Sequence, residues 1–166
     1  MKLGEQIGKG TYGQVFEGHD SKGNQVAIKC YNVDTAQNGI DVGIMREIVY
    51  LKSLPTHPNI IRLMEVEWIG NRLRVAMPLY EIDLNQYVKR TLNRNPMHGA
   101  QIVEFSKQIL QGLVHLHQHG IFIRDLKPAN VLLNLGKLLK KAQAKVLLAF
   151  FFLKSFSSRR SRGGAM

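Results

Sequence analysis

The order of its strand-like and helical segments limits the fold of this 166-residue chain more than any other feature. Residues 3–27 alternate apolar and polar positions around glycine-rich turns, as a β-hairpin does. A helical segment with apolar residues at three- and four-residue intervals follows at 44–54, then strand-like segments at 60–67 and 73–78. The last segments, 84–89 and 100–119, have helical periodicity. Strands that come mostly before the helices favour an α+β fold with segregated layers over a parallel βαβ sheet.

Composition excludes several classes of protein. The chain is 45% hydrophobic and 21% charged, which is typical of one soluble globular domain. The single cysteine, Cys30, excludes an internal disulfide and favours a reducing compartment, the cytosol or the nucleus. No apolar stretch reaches the length of a signal peptide or the roughly 20 residues of a spanning helix. We therefore expect a soluble or peripheral protein.

The net charge of +11 suggests nucleic-acid binding until the charges are located. Residues 1–130 hold 15 Lys and Arg against 12 Asp and Glu, whereas residues 131–166 hold 8 basic residues and no acidic one. The excess therefore belongs to the C-terminal segment and not to the main body. Such a segment contacts nucleic acid, anionic lipid or an import receptor, or it is a solvated extension, and the sequence leaves these alternatives open.

A glycine-rich motif occupies residues 8–15. Glycines let the backbone approach phosphate oxygens and point amide N–H groups at them. The same spacing occurs in dinucleotide-binding folds, where it follows a strand and opens a helix. Here a strand-like segment through Val15 and Phe16 follows, which favours a β-hairpin that covers phosphates.

Two further motifs carry charge. Lys29 ends the apolar run Val26-Ala27-Ile28, and a charge at a half-buried strand position calls for a phosphate ligand and a carboxylate partner. Glu47, on the helical segment 44–54, is the candidate partner. The segment 123–130, Ile-Arg-Asp-Leu-Lys-Pro-Ala-Asn, places Asp125 and Asn130 at the spacing of a phosphoryl-transfer catalytic loop.

These three motifs, in this order, resemble the small lobe and the start of the large lobe of a Ser/Thr protein kinase over residues 3–142. The resemblance implies an α+β, protein-kinase-like fold. Residues 1–78 would form the complete small lobe, an antiparallel sheet plus one key helix called αC. Residues 79–142 would form the hinge and a partial helical large lobe with the catalytic loop, and 143–166 a basic tail outside the family.

The resemblance also implies a binding site for ATP and Mg²⁺. Lys29 and Glu47 would position the phosphates, Asp125 would act as the base and Lys127 would contact the γ-phosphate. Asn130 would ligate the metal. The expected ATP contacts are Ile7, Gly8, Lys9, Gly10, Thr11, Tyr12, Gly13, Val15, Ala27, Lys29, Met77, Pro78, Tyr80, Asp83 and Leu132. Ile7, Val15, Ala27 and Leu132 would enclose adenine, with Met77 as gatekeeper, Pro78 and Tyr80 as hinge and Asp83 near the ribose.

Three stretches narrow the resemblance to the cyclin-dependent kinases: Thr11-Tyr12 in the glycine loop, residues 39–48 with their Arg-Glu-Ile ending, and residues 79–84 after the hinge. The resemblance implies protein substrates and a cyclin-type regulator that binds around residues 39–54. It implies neither a specific nucleic acid nor a transmembrane segment.

The family pattern fails after the catalytic loop. Alignment of residues 136–142 with the family's approach to its Asp-Phe-Gly motif puts Gln143, Ala144 and Lys145 at those positions, and Gln143 lacks the charge that Mg²⁺ prefers. Position 123 is isoleucine where the family has His or Tyr. No activation segment or Ala-Pro-Glu motif follows. We therefore expect a truncated kinase domain without activity, or a non-catalytic module that binds nucleotide or a cyclin.

The segment after residue 142 has two interpretations. A frameshift, a retained intron or a mispredicted exon would produce such a change, and a basic amphipathic tail that binds membrane or a partner would too. In the first case, the long helix loses the partners that normally cover its apolar face. We expect that face to comprise Ile102, Phe105, Ile109, Leu113 and Leu116, with the run 146–153 covering part of it.

Overall fold

The computed structural model describes residues 1–10, 13–32, 42–91, 95–123, 125–134 and 143–146. Within these ranges, the side chains of Asn32, Glu47, Thr91 and residues 143–146 lie outside the description. The following paragraphs concern these described parts of the chain.

Five antiparallel strands form the first sheet, in the order β1-β2-β3-β5-β4. Their bounds are β1 Lys2–Gly10, β2 Gly13–His19, β3 Gln25–Asn32, β4 Glu65–Ile69 and β5 Arg72–Pro78. A tight turn joins β2 to β3, where the Asp20 carboxylate accepts the backbone N–H groups of Lys22 and Asn24 at 2.9 and 2.8 Å. Gly23 supplies the positive φ of 84° that this turn requires.

Helix α1, Val42–Ser53, packs on one face of this sheet. Its apolar residues Ile44, Ile48 and Leu51 recur at helical spacing and are buried, because they meet the strand residues Tyr31 and Leu73 in one core cluster. Burial of each such side chain contributes about 1.5–3 kcal/mol. Packing of this apolar face on the sheet therefore holds the helix in place.

The remaining elements form a second, mainly helical layer. Its helices are α2 Leu84–Gln86, a π-helical turn Tyr87–Thr91, α3 Gly99–Gln118 and a 3₁₀ turn Pro128–Asn130. A three-stranded sheet in the order β6-β7-β8 joins them, with β6 Ile82–Asp83, β7 Val131–Asn134 and β8 Gln143–Val146. Its core contains Tyr87 and Phe105, whose rings meet edge-on at 6.1 Å, together with Val131 and Leu133.

The segment between α1 and β4 joins the two layers by docking on α3. The buried Asn59 donates a hydrogen bond from Nδ2 to Gln108 Oε1 at 3.3 Å, and the His57 and His115 rings stack at 4.6 Å. A Cβ at Gly112 would lie 3.0 Å from Ile60 Cδ1 and 3.2 Å from the Asn59 carbonyl oxygen, so a larger residue would push these neighbours apart by a few tenths of an ångström. The main core cluster consequently runs from the first sheet to Leu116 and Ile121.

The α+β fold class that the sequence predicts, with an antiparallel sheet in one layer and mainly helices in the other, is confirmed. One predicted element was too long, and another consists of two kinds of helix. The strand expected at 60–67 begins only at Glu65, because Asn59 to Ile61 are buried against α3 instead. The helix expected at 84–89 is α2 with a π-helical turn after it.

The prediction of the exposed apolar face of α3 was correct for Ile102 and wrong for the other four residues. Phe105 and Leu116 are buried, and Ile109 and Leu113 are half-buried, because β7 and the residues before β4 cover that side. The exposed apolar side chains of α3 form a different stripe: Ile102, Val103, Leu110 and Val114. The helix therefore has two apolar stripes, of which the described residues cover one.

The predicted boundary at residue 142 falls just before a strand of the structure. Strand β8 pairs with β7, although the sequence prediction placed residues 143–146 in the tail. The hairpin thus extends past the predicted boundary at residue 142, and residues 147–166 lie outside the described residues. Within the described ranges, no helix combines the length and the apolar character needed to cross a membrane.

Helix α3 ends in a motif that depends on glycine. Gly120 has φ 72°, the Gly120 N–H bonds to the His117 carbonyl at 3.0 Å, and the Ile121 N–H bonds to the Leu116 carbonyl at 2.9 Å. We predict that Gly120→Ala lowers the free energy of unfolding by about 1 kcal/mol, because a Cβ disfavours left-handed backbone. Denaturant unfolding measures this. Gly99→Ala, at an open helical position, is the control, and equal effects of both substitutions would contradict the prediction.

Candidate functional site

The glycine-rich motif forms the tip of the β1–β2 hairpin. Gly10 lies opposite Gly13 and Gly8 opposite Val15. A Cβ at Gly13 would collide with the backbone carbonyl oxygen of Cys30, whereas a Cβ at Gly8 would find only ordinary contact with Val15. The close approach of β3 therefore requires glycine at position 13.

Of the other predicted ATP contacts in this motif, Lys9 is exposed. Thr11 and Tyr12 lie outside the described residues. Ile7 is exposed as well and is not among the residues of the main core cluster, unlike the apolar side chains expected to enclose adenine with it. The adenine contact of Ile7 therefore stays a prediction.

The other predicted adenine contacts do come together. Ala27 on β3 lies opposite Met77 on β5, and both are buried. They share the main core cluster with the half-buried Val15, Tyr80 and Leu132. Because Leu132 comes from β7, this apolar wall draws on both sheets.

The hinge follows directly after β5. Pro78 lies opposite Val26, and burial raises the pKa of Tyr80 to about 12, against a smaller opposite effect of Arg62. The Tyr80 hydroxyl is therefore neutral at physiological pH. Asp83 accepts the Gln86 N–H at 2.8 Å through Oδ1, so this predicted ribose contact also caps α2.

Lys29 is half-buried on β3 opposite Val15. Its Nζ atom lies 4.8 Å from the centre of the Tyr31 ring, a cation–π contact that the sequence analysis missed. The spacing contained the signal, because residues two apart on a strand share a face. Glu47 lies on α1 between the buried Ile44 and Ile48, but its side chain is outside the description. The Lys29–Glu47 pair therefore stays a prediction.

The predicted catalytic loop gathers three polar residues. Lys127 Nζ lies 2.6 Å from Asp125 Oδ2. Asn130 Nδ2 donates to the Asp125 backbone carbonyl at 2.7 Å and approaches Asp125 Oδ2 at 3.4 Å. The 3₁₀ turn fixes this arrangement, because the Asn130 N–H bonds to the Lys127 carbonyl at 2.8 Å. The Asp125 carboxylate thus faces one cation and one amide.

This environment lowers the pKa of the Asp125 carboxyl below its ordinary value, chiefly through the hydrogen bond from Lys127. Partial desolvation opposes the effect without cancelling it. The group is consequently ionised at neutral pH and can accept a proton or orient a hydroxyl. Just before it, Ile123 is half-buried against the main core, and Arg124 lies outside the described residues.

A family model described as a protein kinase domain matches residues 1–145. The chain belongs to the protein kinase family. Membership implies that it is by family a transferase, and the family generally uses ATP and Mg²⁺. The kinase match includes residues 143–145, which the sequence prediction had excluded.

The pairing of β8 with β7 shows where Gln143 lies relative to Asn130. Val146 lies opposite Val131, beside Asn130, whereas Gln143 lies opposite Asn134. Three residues along β7 separate these positions, or about 10 Å. Gln143, which the alignment puts at the Asp position of Asp-Phe-Gly, thus pairs at the end of β7 that lies away from Asn130, and the alignment itself stays a prediction. Counting along the sequence could not reveal this, because the pairing of two strands sets the register.

The residues of this kinase do not fit a magnesium site. Among the described residues, no three His, Cys, Asp or Glu side chains are grouped to hold a metal ion. Asn130 supplies one neutral amide oxygen, and the nearest carboxylate oxygen, Asp125 Oδ2, is paired with Lys127. Residues 131–166 contain no acidic residue in any register. Mg²⁺ in phosphate-binding sites normally requires at least one carboxylate.

The Asp125–Lys127 contact generates a prediction about charge. We expect Lys127→Met to raise the pKa of Asp125 toward its ordinary value, since the dominant stabiliser of the carboxylate is removed. Carbon-13 NMR titration of the Asp125 carboxyl measures this. The wild-type pair stabilises the fold above the unfolded-state pKa, and this contribution is lost as pH falls through the lowered one.

The control for this titration is Lys89→Met. Lys89 is an exposed residue of the π-helical turn, so its substitution should leave the titration midpoint of Asp125 unchanged. An equal midpoint in the wild type and in Lys127→Met would show that the contact does not govern the ionisation of Asp125.

Proposed function

We propose that this kinase-family chain binds ATP in the cleft between its two sheets and that its inherited reaction is phosphoryl transfer to Ser or Thr hydroxyls of proteins. The observation that carries the proposal is the joint placement of Val15, Ala27, Met77 and Leu132 in one apolar cluster. Lys29 lies on the strand beside them, opposite Val15. An apolar cluster with a lysine beside it suits an adenine ring that is joined to phosphates.

The binding roles follow from these positions. Adenine would lie among Ala27, Val15 and Leu132, with Met77 at the back. The backbone carbonyl of Pro78 would accept the adenine amine, and the Tyr80 backbone would supply an N–H group and a carbonyl. Asp83 would approach the ribose through Oδ2, because Oδ1 already accepts the Gln86 N–H.

The catalytic-loop residues would act on the protein substrate. Asp125, ionised at neutral pH, would orient the substrate hydroxyl and accept its proton. The Lys127 ammonium contacts the Asp125 carboxylate. It would also contact the γ-phosphate when the substrate hydroxyl, held by Asp125, approaches that phosphate. ATP supplies the transferable phosphoryl group.

The same residues support the proposal that the chain as given has negligible kinase activity. Removal of one group that stabilises the transition state typically costs 10²–10³ in rate. Here the one carboxylate of the described loop, that of Asp125, is paired with Lys127, and the segment that follows contains no acid. Position 123 adds a second departure, because an apolar Ile123 replaces a polar ring.

A second candidate function is partner binding without catalysis, and a surface of α1 favours it. Val42, Met45 and Val49 lie at helical spacing on the side away from the sheet, and their side chains are 66%, 38% and 59% exposed. An exposed apolar stripe on a short helix is typical of a docking surface. In this function the chain would bind a cyclin-type regulator through α1 and transfer no phosphate.

Nucleotide binding can be measured without activity. We expect ATP to raise the melting temperature of the folded chain, because a ligand at a hundred times its Kd adds about 2.7 kcal/mol. Ala27→Phe should abolish the shift by filling the adenine slot. Ala100→Phe makes the same change at an exposed position of α3 and should retain it. Absence of any shift in a cooperatively melting wild-type sample up to millimolar ATP would contradict the proposal.

Activity separates the two candidate functions. We expect no phosphorylation of a generic protein substrate by the purified chain with ATP and magnesium. Gln143→Asp should not restore activity, since that position lies opposite Asn134 and not beside Asn130. Phosphorylation that Asp125→Ala abolishes would sink the inactive assignment and leave catalysis as the function. Its absence, with ATP binding intact, favours the partner-binding alternative.

A further inference from the structure

Helix α3 exposes a continuous apolar stripe that the proposed ATP cleft does not use. Ile102, Val103, Leu110 and Val114 are between 50 and 68% exposed. Beside them, a groove of about 830 Å³ runs between α3 and the residues His57 and Pro58. Apolar surfaces of this kind on a soluble protein usually mark an interaction site.

The chain itself brings an apolar segment to this helix. Strand β8 packs alongside α3 and ends at Val146. The next seven residues, 147–153, read Leu-Leu-Ala-Phe-Phe-Phe-Leu, without a single polar side chain, between Lys145 and Lys154. We call residues 147–153 the apolar run.

We propose that the apolar run docks on the exposed stripe of α3. Its length is sufficient, because seven extended residues span up to about 23 Å. The stripe from Ile102 to Val114 covers twelve helical steps, or about 18 Å. The run carries no charge, and the exposed Lys107 at the groove can keep its ammonium group in water while its stem lies along the apolar surface.

Covalent continuity favours the apolar run over a second copy of the chain as the occupant. A short tether gives the run an effective concentration at α3 in the millimolar range, far above the concentration of the free protein. Docking in cis also avoids the translational and rotational cost that a dimer would pay. The surface thus acts as an internal interface that residues 147–153 complete.

Cysteine labelling of the full-length chain tests the proposal. Leu110→Cys places a thiol at the centre of the stripe, and Lys89→Cys places one at an exposed reference position. Both are made with Cys30→Ala, so that the native buried thiol does not contribute. We expect a water-soluble maleimide to label Leu110→Cys at least about tenfold more slowly than Lys89→Cys, in line with a cis docking equilibrium of that size.

Two comparisons identify the occupant. The slow labelling should be independent of protein concentration, whereas protection by a second copy would weaken on dilution and would overturn the cis assignment. Replacement of Phe150, Phe151 and Phe152 by Ser should restore fast labelling, and Phe156→Ser, the same change outside the run, should not. Equal labelling rates at Leu110→Cys and Lys89→Cys in the otherwise unaltered chain would by themselves overturn the proposal.

Discussion

The docking of residues 57–61 on α3 is the contact on which the rest of the structure depends. The Asn59–Gln108 hydrogen bond satisfies two buried amides, and the missing side chain of Gly112 lets the backbones approach. This contact joins the first sheet to the helical layer, so the core continues from Tyr31 to Leu116. Without it, Ala27 and Met77 of the first sheet would not share one core cluster with Leu132 of β7.

The catalytic loop depends on this junction through the end of α3. The left-handed Gly120 stops the helix, the buried Ile121 anchors the chain in the core, and Asp125 follows within five residues. The contact with Lys127 keeps the Asp125 carboxylate ionised. The hydrogen bond from Asn130 to the Asp125 carbonyl fixes the backbone of Asp125. The loop is therefore organised for a proton-accepting or hydroxyl-orienting role, while the residues beside it lack the carboxylates that a magnesium ion needs.

Motifs with local causes could be predicted from the sequence. The glycine hairpin, the strand that carries Lys29, helix α3 and the 3₁₀ turn before Asn130 all follow from turn residues and apolar periodicity within about twenty positions. The exposed apolar stripe of α3 was harder to predict. The helix carries apolar residues on two sides, and periodicity alone does not say which side meets β7. The contact of Lys29 with Tyr31 had a local signal that the sequence analysis did not use, because residues two apart on one strand share a face.

The sequence by itself determined the family, the fold class and the identities of the residues around the cleft, since these depend on residue type and order along the chain. Tertiary structure decided the register of β8, which places Gln143 opposite Asn134 and Val146 beside the catalytic loop. It also decided that Ile7 is exposed while Val15 joins the core cluster. Both outcomes depend on how strands pair and layers meet, and those long-range contacts are not encoded in any one segment.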